Sequence, residues 1–172
     1  EAAAGTTELN DYTLVRSDGC TDTNGLNRGE TGTCELRNTL KPKLTVNKVC
    51  QPAGDAGKFV LSVNGTSKEV ACGGSLEVRV SPATYTVSES AGTGTNLADY
   101  ETTINGACDS AGRVTLSYGD SKTCTVTNKR KPVLTVTKAC PNGKQSLGDR
   151  FEVVLNGTRT GRILDCGQST TF

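Results

Sequence analysis

The chain contains no histidine, methionine or tryptophan, and only 4% of its residues are aromatic. Without histidine it lacks the usual general base and the commonest metal ligand. No Cys-x-x-Cys spacing occurs either, so a zinc site is not expected. The net charge is +1, which offers no field for nucleic acid or a membrane surface. No apolar run approaches the length that spans a bilayer, and no signal-peptide pattern is present. A mature secreted protein, or a fragment of one, fits that pattern. An apolar fraction of 34% in 172 residues leaves each folded unit a thin core. No cofactor is expected.

What the chain does have is repetition. Cys34-Glu35-Leu36-Arg37-Asn38, followed by Lys41-Pro42-Lys43-Leu44-Thr45-Val46-Asn47-Lys48-Val49-Cys50, returns about ninety residues later. The second copy is Cys124-Thr125-Val126-Thr127-Asn128, followed by Lys131-Pro132-Val133-Leu134-Thr135-Val136-Thr137-Lys138-Ala139-Cys140. Leu9-Asn10-Asp11-Tyr12 likewise matches Leu97-Ala98-Asp99-Tyr100, and the segment from Phe151 to Thr158 matches that from Phe59 to Thr66. Self-similarity at a fixed period marks a tandem array of structural units rather than a single-site enzyme. The units divide as 1–40, the last half of a repeat; 43–129, a complete repeat; and 133–172, the first half of the next. Two readings stand side by side. The chain is a window on a longer polymer of repeats, or separate subunits complete each other head to tail.

Within the complete unit the pattern is all strand. Apolar and polar residues alternate along 44–48, 59–63, 77–80, 85–89, 100–104, 114–116 and 124–128. Turn residues separate these runs, and Asn64-Gly65 is a tight-hairpin signal. About seven short strands in such a span predict an all-β, immunoglobulin-like antiparallel sandwich. The linkers Thr39-Leu40-Lys41-Pro42 and Lys129-Arg130-Lys131-Pro132 are short and carry proline, so a stiff rod is expected.

Eight cysteines at wide spacing suit a thin-cored secreted module stapled by disulfides. Four per unit allow three pairings, among which sequence alone does not choose. Pairing within each half-unit, Cys20–Cys34, Cys50–Cys72, Cys108–Cys124 and Cys140–Cys166, leaves no orphan.

Strand parity adds chemistry. Side chains alternate faces along a strand, so Lys48 shares the inward face of Leu44 and Val46. Asn128 shares the face of Val126, and Glu89 that of Tyr85 and Val87. Lys138, behind Leu134 and Val136, and Asn38, behind Leu36, repeat the first two cases. An unpaired polar group in a core is expensive, so something must satisfy these.

A Lys closing the first strand, a Tyr-x-Val-x-Glu middle strand and an Asn closing the last resemble collagen-adhesin B-type (Cna-B-like) domains. These share a prealbumin-like fold with the shaft domains of Gram-positive pilins. The resemblance implies a spontaneous isopeptide bond between Lys48 and Asn128, with Glu89 as the proton-transfer residue. Ala83 stands where the family usually has glycine, and paired cysteines are not typical of its pilin members. Carried to the flanking half-units, Lys138 of one copy would bond Asn38 of the next, assisted by Glu1. The chemistry is sound in principle. A dry core favours the neutral amine and the neutral acid, the neutral amine is a nucleophile, and fixed neighbours replace a bimolecular encounter.

The leading functional expectation is a structural repeat of an extracellular fibre, pilus-like filament or cell-surface stalk. Its partners would be adjacent repeats or copies of itself, head to tail. The alternative is an adhesin that binds matrix or carbohydrate through loops such as Ser90–Asn96 and Ser17–Glu30. No set of residues assembles a nucleophile, base and oxyanion site for turnover. Asp109 and Asp120 lack the dense acidic alternation of a calcium loop and are expected to be solvated surface charges.

Overall fold

The alternating runs become strands throughout the computed structural model, which describes residues 2–17 and 26–172. Glu1 and Cys20 lie outside the described residues, and with Cys20 the first of the expected disulfides. In chain order the strands are β1 Tyr12–Arg16, β2 Leu36–Leu40, β3 Lys43–Gln51, β4 Lys58–Val63, β5 Thr66–Ala71, β6 Ser75–Arg79 and β7 Ala83–Ala91. They continue as β8 Tyr100–Gly106, β9 Arg113–Leu116, β10 Ser121–Arg130, β11 Thr135–Thr137, β12 Phe151–Leu155, β13 Thr158–Leu164 and β14 Ser169–Thr171. The chain divides into two compact units, one up to Arg130 and one from Lys131 to Phe172.

Strands β3 to β10 close a two-sheet sandwich. One sheet has the order β6-β3-β10-β8 and the other β5-β4-β7-β9. Leu44, Val46, Leu61, Val63, Leu76, Val87, Val114, Leu116 and Val126 fill the space between them. The period-2 pattern decides which side chains these are, because each strand sends alternate residues inward. Asn64 (φ 48°) and Gly65 (φ 79°) form the expected turn between β4 and β5, and Asn156 and Gly157 repeat it between β12 and β13.

Two features depart from the sequence reading. β5 reads as turn and charge, because only Val70 of its six residues is buried; it is an edge strand, which needs little apolar face. The second departure matters more. The sandwich is not antiparallel throughout: β3 and β10, its first and last strands, lie side by side and run parallel, from Lys43↔Ser121 to Gln51↔Lys129. A chain that enters at one end of a unit and leaves at the other must run its first and last strands in the same direction.

Disulfides join Cys50 to Cys72, Cys108 to Cys124 and Cys140 to Cys166. Each closes a loop within one half-unit.

The β1–β2 hairpin repeats the register of β8 and β10. Tyr12 faces Leu40 and Leu14 faces Asn38, as Tyr100 faces Arg130 and Thr102 faces Asn128. It is also tied to the sandwich. The Asp11 carboxylate pairs with Arg79 Nε at 3.1 Å, and Arg79 Nη1 donates to the Lys41 carbonyl at 3.0 Å. Lys41 in turn donates its backbone N–H to the Asp11 carbonyl and its Nζ to the Asn10 carbonyl. Pro42, just beyond, is fully buried. These contacts place residues 2–17 in the same compact unit as the sandwich. The ion pair is part-exposed, so its energetic weight is small. Asp11→Asn is therefore expected to speed amide exchange in β1 and β2 while leaving protection in β3 and β10 unchanged; equal loss in both would contradict this.

In the second unit, β11 pairs with β14 and β12 with β13. Thr135↔Thr171 and Phe151↔Leu164 occupy the places of Thr45↔Glu77 and Phe59↔Val70. No helix among the described residues is long and apolar enough to cross a membrane.

Candidate functional site

Three strands from both sheets converge on one buried polar cluster. Along β3, Leu44, Val46, Lys48 and Cys50 point inward; along β10, Cys124, Val126 and Asn128 do. The parallel register sets Lys48 level with Val126, and Asn128 level with Cys50. Lysine and asparagine are thus one step apart on neighbouring strands of the same sheet. Glu89 arrives from the facing sheet, on β7 opposite Leu61 of β4.

The cluster is dry. Lys48 is 1% exposed and Asn128 0%, the two buried polar residues among the described ones. Lys48 Nζ stands 3.1 Å from Glu89 Oε1, with side chains 0% and 4% exposed. This is a charge contact without hydrogen-bond alignment, and both Glu89 oxygens lack a hydrogen-bond partner. Lys48 Nζ instead donates to the carbonyls of Val49 and Val126, each at 3.3 Å. Burial pushes the Lys48 amine below its ordinary range, while Glu89 beside it pulls it back up. The arrangement brings the amine toward the uncharged form that can act as a nucleophile.

Asn128 carries the sharper anomaly. Neither Nδ2 nor Oδ1 has a hydrogen-bond partner. Among the described residues, the buried side-chain polar atoms left without one are these two and the two oxygens of Glu89. Each such atom costs about 1–3 kcal/mol, and native cores hold few of them.

Aromatic rings wall the cluster. Lys48 Nζ lies 4.3 Å from the centroid of the Phe59 ring, and Tyr100 meets Phe59 edge-on at 5.4 Å. Tyr100 donates its hydroxyl to Asp55 at 2.7 Å, and Arg130 reaches the same carboxylate at 3.1 Å. The sequence reading places Phe59 and Tyr100 on strands and Arg130 in a linker, and gives none of them a role at this site. A signal for the phenylalanine is present all the same. The chain has three phenylalanines, and two of them occupy matching places in the repeat, Phe59 and Phe151.

Lys138 reproduces the setting of Lys48. Its Nζ lies 3.9 Å from the Phe151 ring centroid. Its backbone exchanges hydrogen bonds with Gly167 and Gln168, as Lys48 does with Gly73 and Gly74. It lines a groove of about 300 Å³ with Val136, Phe151 and Leu164. Asn38 lies on β2, in the other compact unit, and is exposed. Asp109 and Asp120 cap turns: Asp109 accepts from the N–H groups of Ala111 and Arg113, and Asp120 accepts from Ser117 and pairs with Lys122. No group of three or more metal-ligating side chains occurs among the described residues.

No protein-family model matches the chain, and no curated protein sequence does. Solved structures similar to part of the chain include two bacterial pilins. The major pilin protein T-13 of Streptococcus pyogenes is 17% identical with a TM-score of 0.31, over 56% of this chain and 48% of that one. The major pilin protein T3.2 of the same species is 18% identical with a TM-score of 0.33, over 63% of this chain and 51% of that one. The chain spans about half the length of each. At that identity and overlap, function rests on the residues of this chain.

Proposed function

We propose that the chain belongs to an extracellular fibre or cell-surface stalk of tandem β-sandwich repeats, each closed by disulfides and by an amide between Lys48 and Asn128 or their counterparts. The observation that carries the reading is the set of orphaned atoms. Among the described residues, the side chains with buried atoms that lack a hydrogen-bond partner, Glu89 and Asn128, are those that would react with the buried lysine or assist it.

The step balances without a co-reactant. Lys48 passes a proton to Glu89, and its Nζ lone pair attacks Cγ of Asn128. The new Cγ–Nζ bond forms as the Cγ–Nδ2 bond breaks. Nδ2 takes that proton from Glu89 and leaves as ammonia. Glu89 collects the second proton that Nζ sheds as the amide forms and passes it to the departing ammonia, which exits as ammonium. Glu89, when protonated, donates to Asn128 Oδ1 and polarises the carboxamide. The reaction occurs once per repeat and is maturation rather than turnover.

The parallel β3–β10 pair supports a role under tension. Force enters at the start of β3 and leaves at the end of β10, so the two strands are loaded in shear. A Lys48–Asn128 amide would bypass the chain between them. The matched registers of β1–β2, β11–β14 and β12–β13 support the tandem reading, and Lys138 over Phe151 supports a similar bond in the third repeat. That bond would draw its Glu and Asn from continuing chain or, head to tail, from the Glu1 and Asn38 positions of another copy. The outermost consequence is an address: a disulfide-stapled module of this kind suits the cell surface.

Pulling tests the reading. Held at its two ends, the central sandwich is expected to give no unfolding step at forces that open a Lys48→Met variant. That variant should release the intervening chain, less the loops kept closed by disulfides of sequence separation 22 and 16. Identical steps in both proteins would rule the bypass out.

A further inference from the structure

We propose that Asp55, clamped by Tyr100 and Arg130, is a positioning latch that closes the Lys48–Asn128 pocket and sets the rate at which the amide forms. The inference rests on the reading above and assigns roles to three residues outside the reacting trio.

Asp55 lies in the β3–β4 loop with its side chain 1% exposed. It has three partners. Oδ1 accepts from the Tyr100 hydroxyl and from the Gly57 N–H, each at 2.7 Å, and Oδ2 accepts from Arg130 at 3.1 Å. The convergence is tight enough to demand glycine in its centre. A Cβ on Gly57 would stand 2.8 Å from Asp55 Oδ1, from the tip of the Phe59 ring and from the Tyr100 hydroxyl oxygen. Such packing around a buried carboxylate is a built feature, not a chance surface pair.

Its placement ties it to the reaction. Tyr100 opens β8 and is the register partner of Arg130, which ends β10 two residues beyond Asn128. Tyr100 also braces Phe59 edge-on, and Phe59 covers the Lys48 amine. Cys50, Phe59 and Tyr100 form a small buried cluster of their own at this end of the sandwich, with Cys72 packed against it. The latch therefore fixes the end of β10 that carries the carboxamide, and the ring that shields the amine from water. A misplacement of about 1 Å at such a site costs on the order of a hundredfold in rate.

The latch also disposes of its own charge. Tyr100, the Gly57 amide and Arg130 hold Asp55 ionised, below the usual carboxylate range. A negative charge there favours the ammonium form of Lys48, which cannot attack. Arg130 pairs with the charge and offsets it.

The experiment follows maturation of the full chain synthesised in vitro under oxidising conditions. Samples are quenched at intervals and reduced, and ammonia loss is read by intact mass. Tyr100→Phe and Asp55→Asn are expected to slow ammonia loss by about tenfold or more, with Arg130→Lys closer to wild type than Arg130→Gln. Asp120→Ala, which removes a turn cap at the opposite end of β10, serves as the control for a stability loss alone. It should mature at the wild-type rate. Tyr100→Phe and Asp55→Asn maturing as fast as wild type would overturn the latch while leaving the amide intact. A wild-type chain that never loses ammonia overturns the amide, and the latch with it.

Discussion

Asn128→Ala is expected to lower the melting temperature of the central sandwich by roughly 20 °C. An amide to Lys48 closes most of the repeat into one loop. Covalent closure of a loop of this order stabilises by about 4 kcal/mol in the chain-entropy model. A domain of this size loses about 4–8 °C per kcal/mol. The sign matters as much as the size. If no bond forms, the substitution merely removes two unsatisfied buried atoms from the core. That change would leave stability unaltered or raise it, apart from the small cavity it opens. Calorimetry on the disulfide-intact protein separates the two cases by the direction of the shift.

Glu89→Gln should have the second large effect, on the rate of maturation. It leaves the Lys48 amine and the Asn128 carboxamide in place and removes the group that moves the proton between them. Positioned general acid–base groups contribute about 10²–10⁴-fold. Amide formation should slow by that order, and the protein isolated soon after synthesis should retain its ammonia. The variant also breaks the buried Lys48–Glu89 pair by removing one partner, a change that costs about 3–5 kcal/mol. Unreacted Glu89→Gln should therefore melt below unreacted Asn128→Ala, in which the Lys48–Glu89 pair survives. Complete reaction at the wild-type rate would remove Glu89 from its role.

Much of this site is legible in the sequence because it lies on strands. Period-2 alternation places Lys48 with Leu44 and Val46, Asn128 with Val126 and Glu89 with Val87, and the structure puts these side chains on the core faces. Local pattern carries that information. It does not carry the pairing of distant strands. The parallel alignment of β3 with β10 depends on the whole path of the chain, and it is what sets Asn128 one step from Lys48. Edge strand β5 is hidden for the opposite reason, since a strand with a single buried residue shows no apolar period. The latch is least legible. Asp55 and Gly57 sit in a loop, Tyr100 starts a strand and Arg130 ends one, and only the closed sandwich brings them together. Sequence shows Asp55 as one acidic residue among many; its burial comes entirely from tertiary closure.

A covalent bond between Lys48 and Asn128 is read straight from the mass of the protein. The purified chain is fully reduced and denatured, weighed intact, then digested. The expected mass is lower than that of the sequence by one ammonia for the complete repeat, with a branched product joining the peptide that contains Lys48 to the peptide that contains Asn128. The full sequence mass, with the two peptides recovered separately, would contradict it.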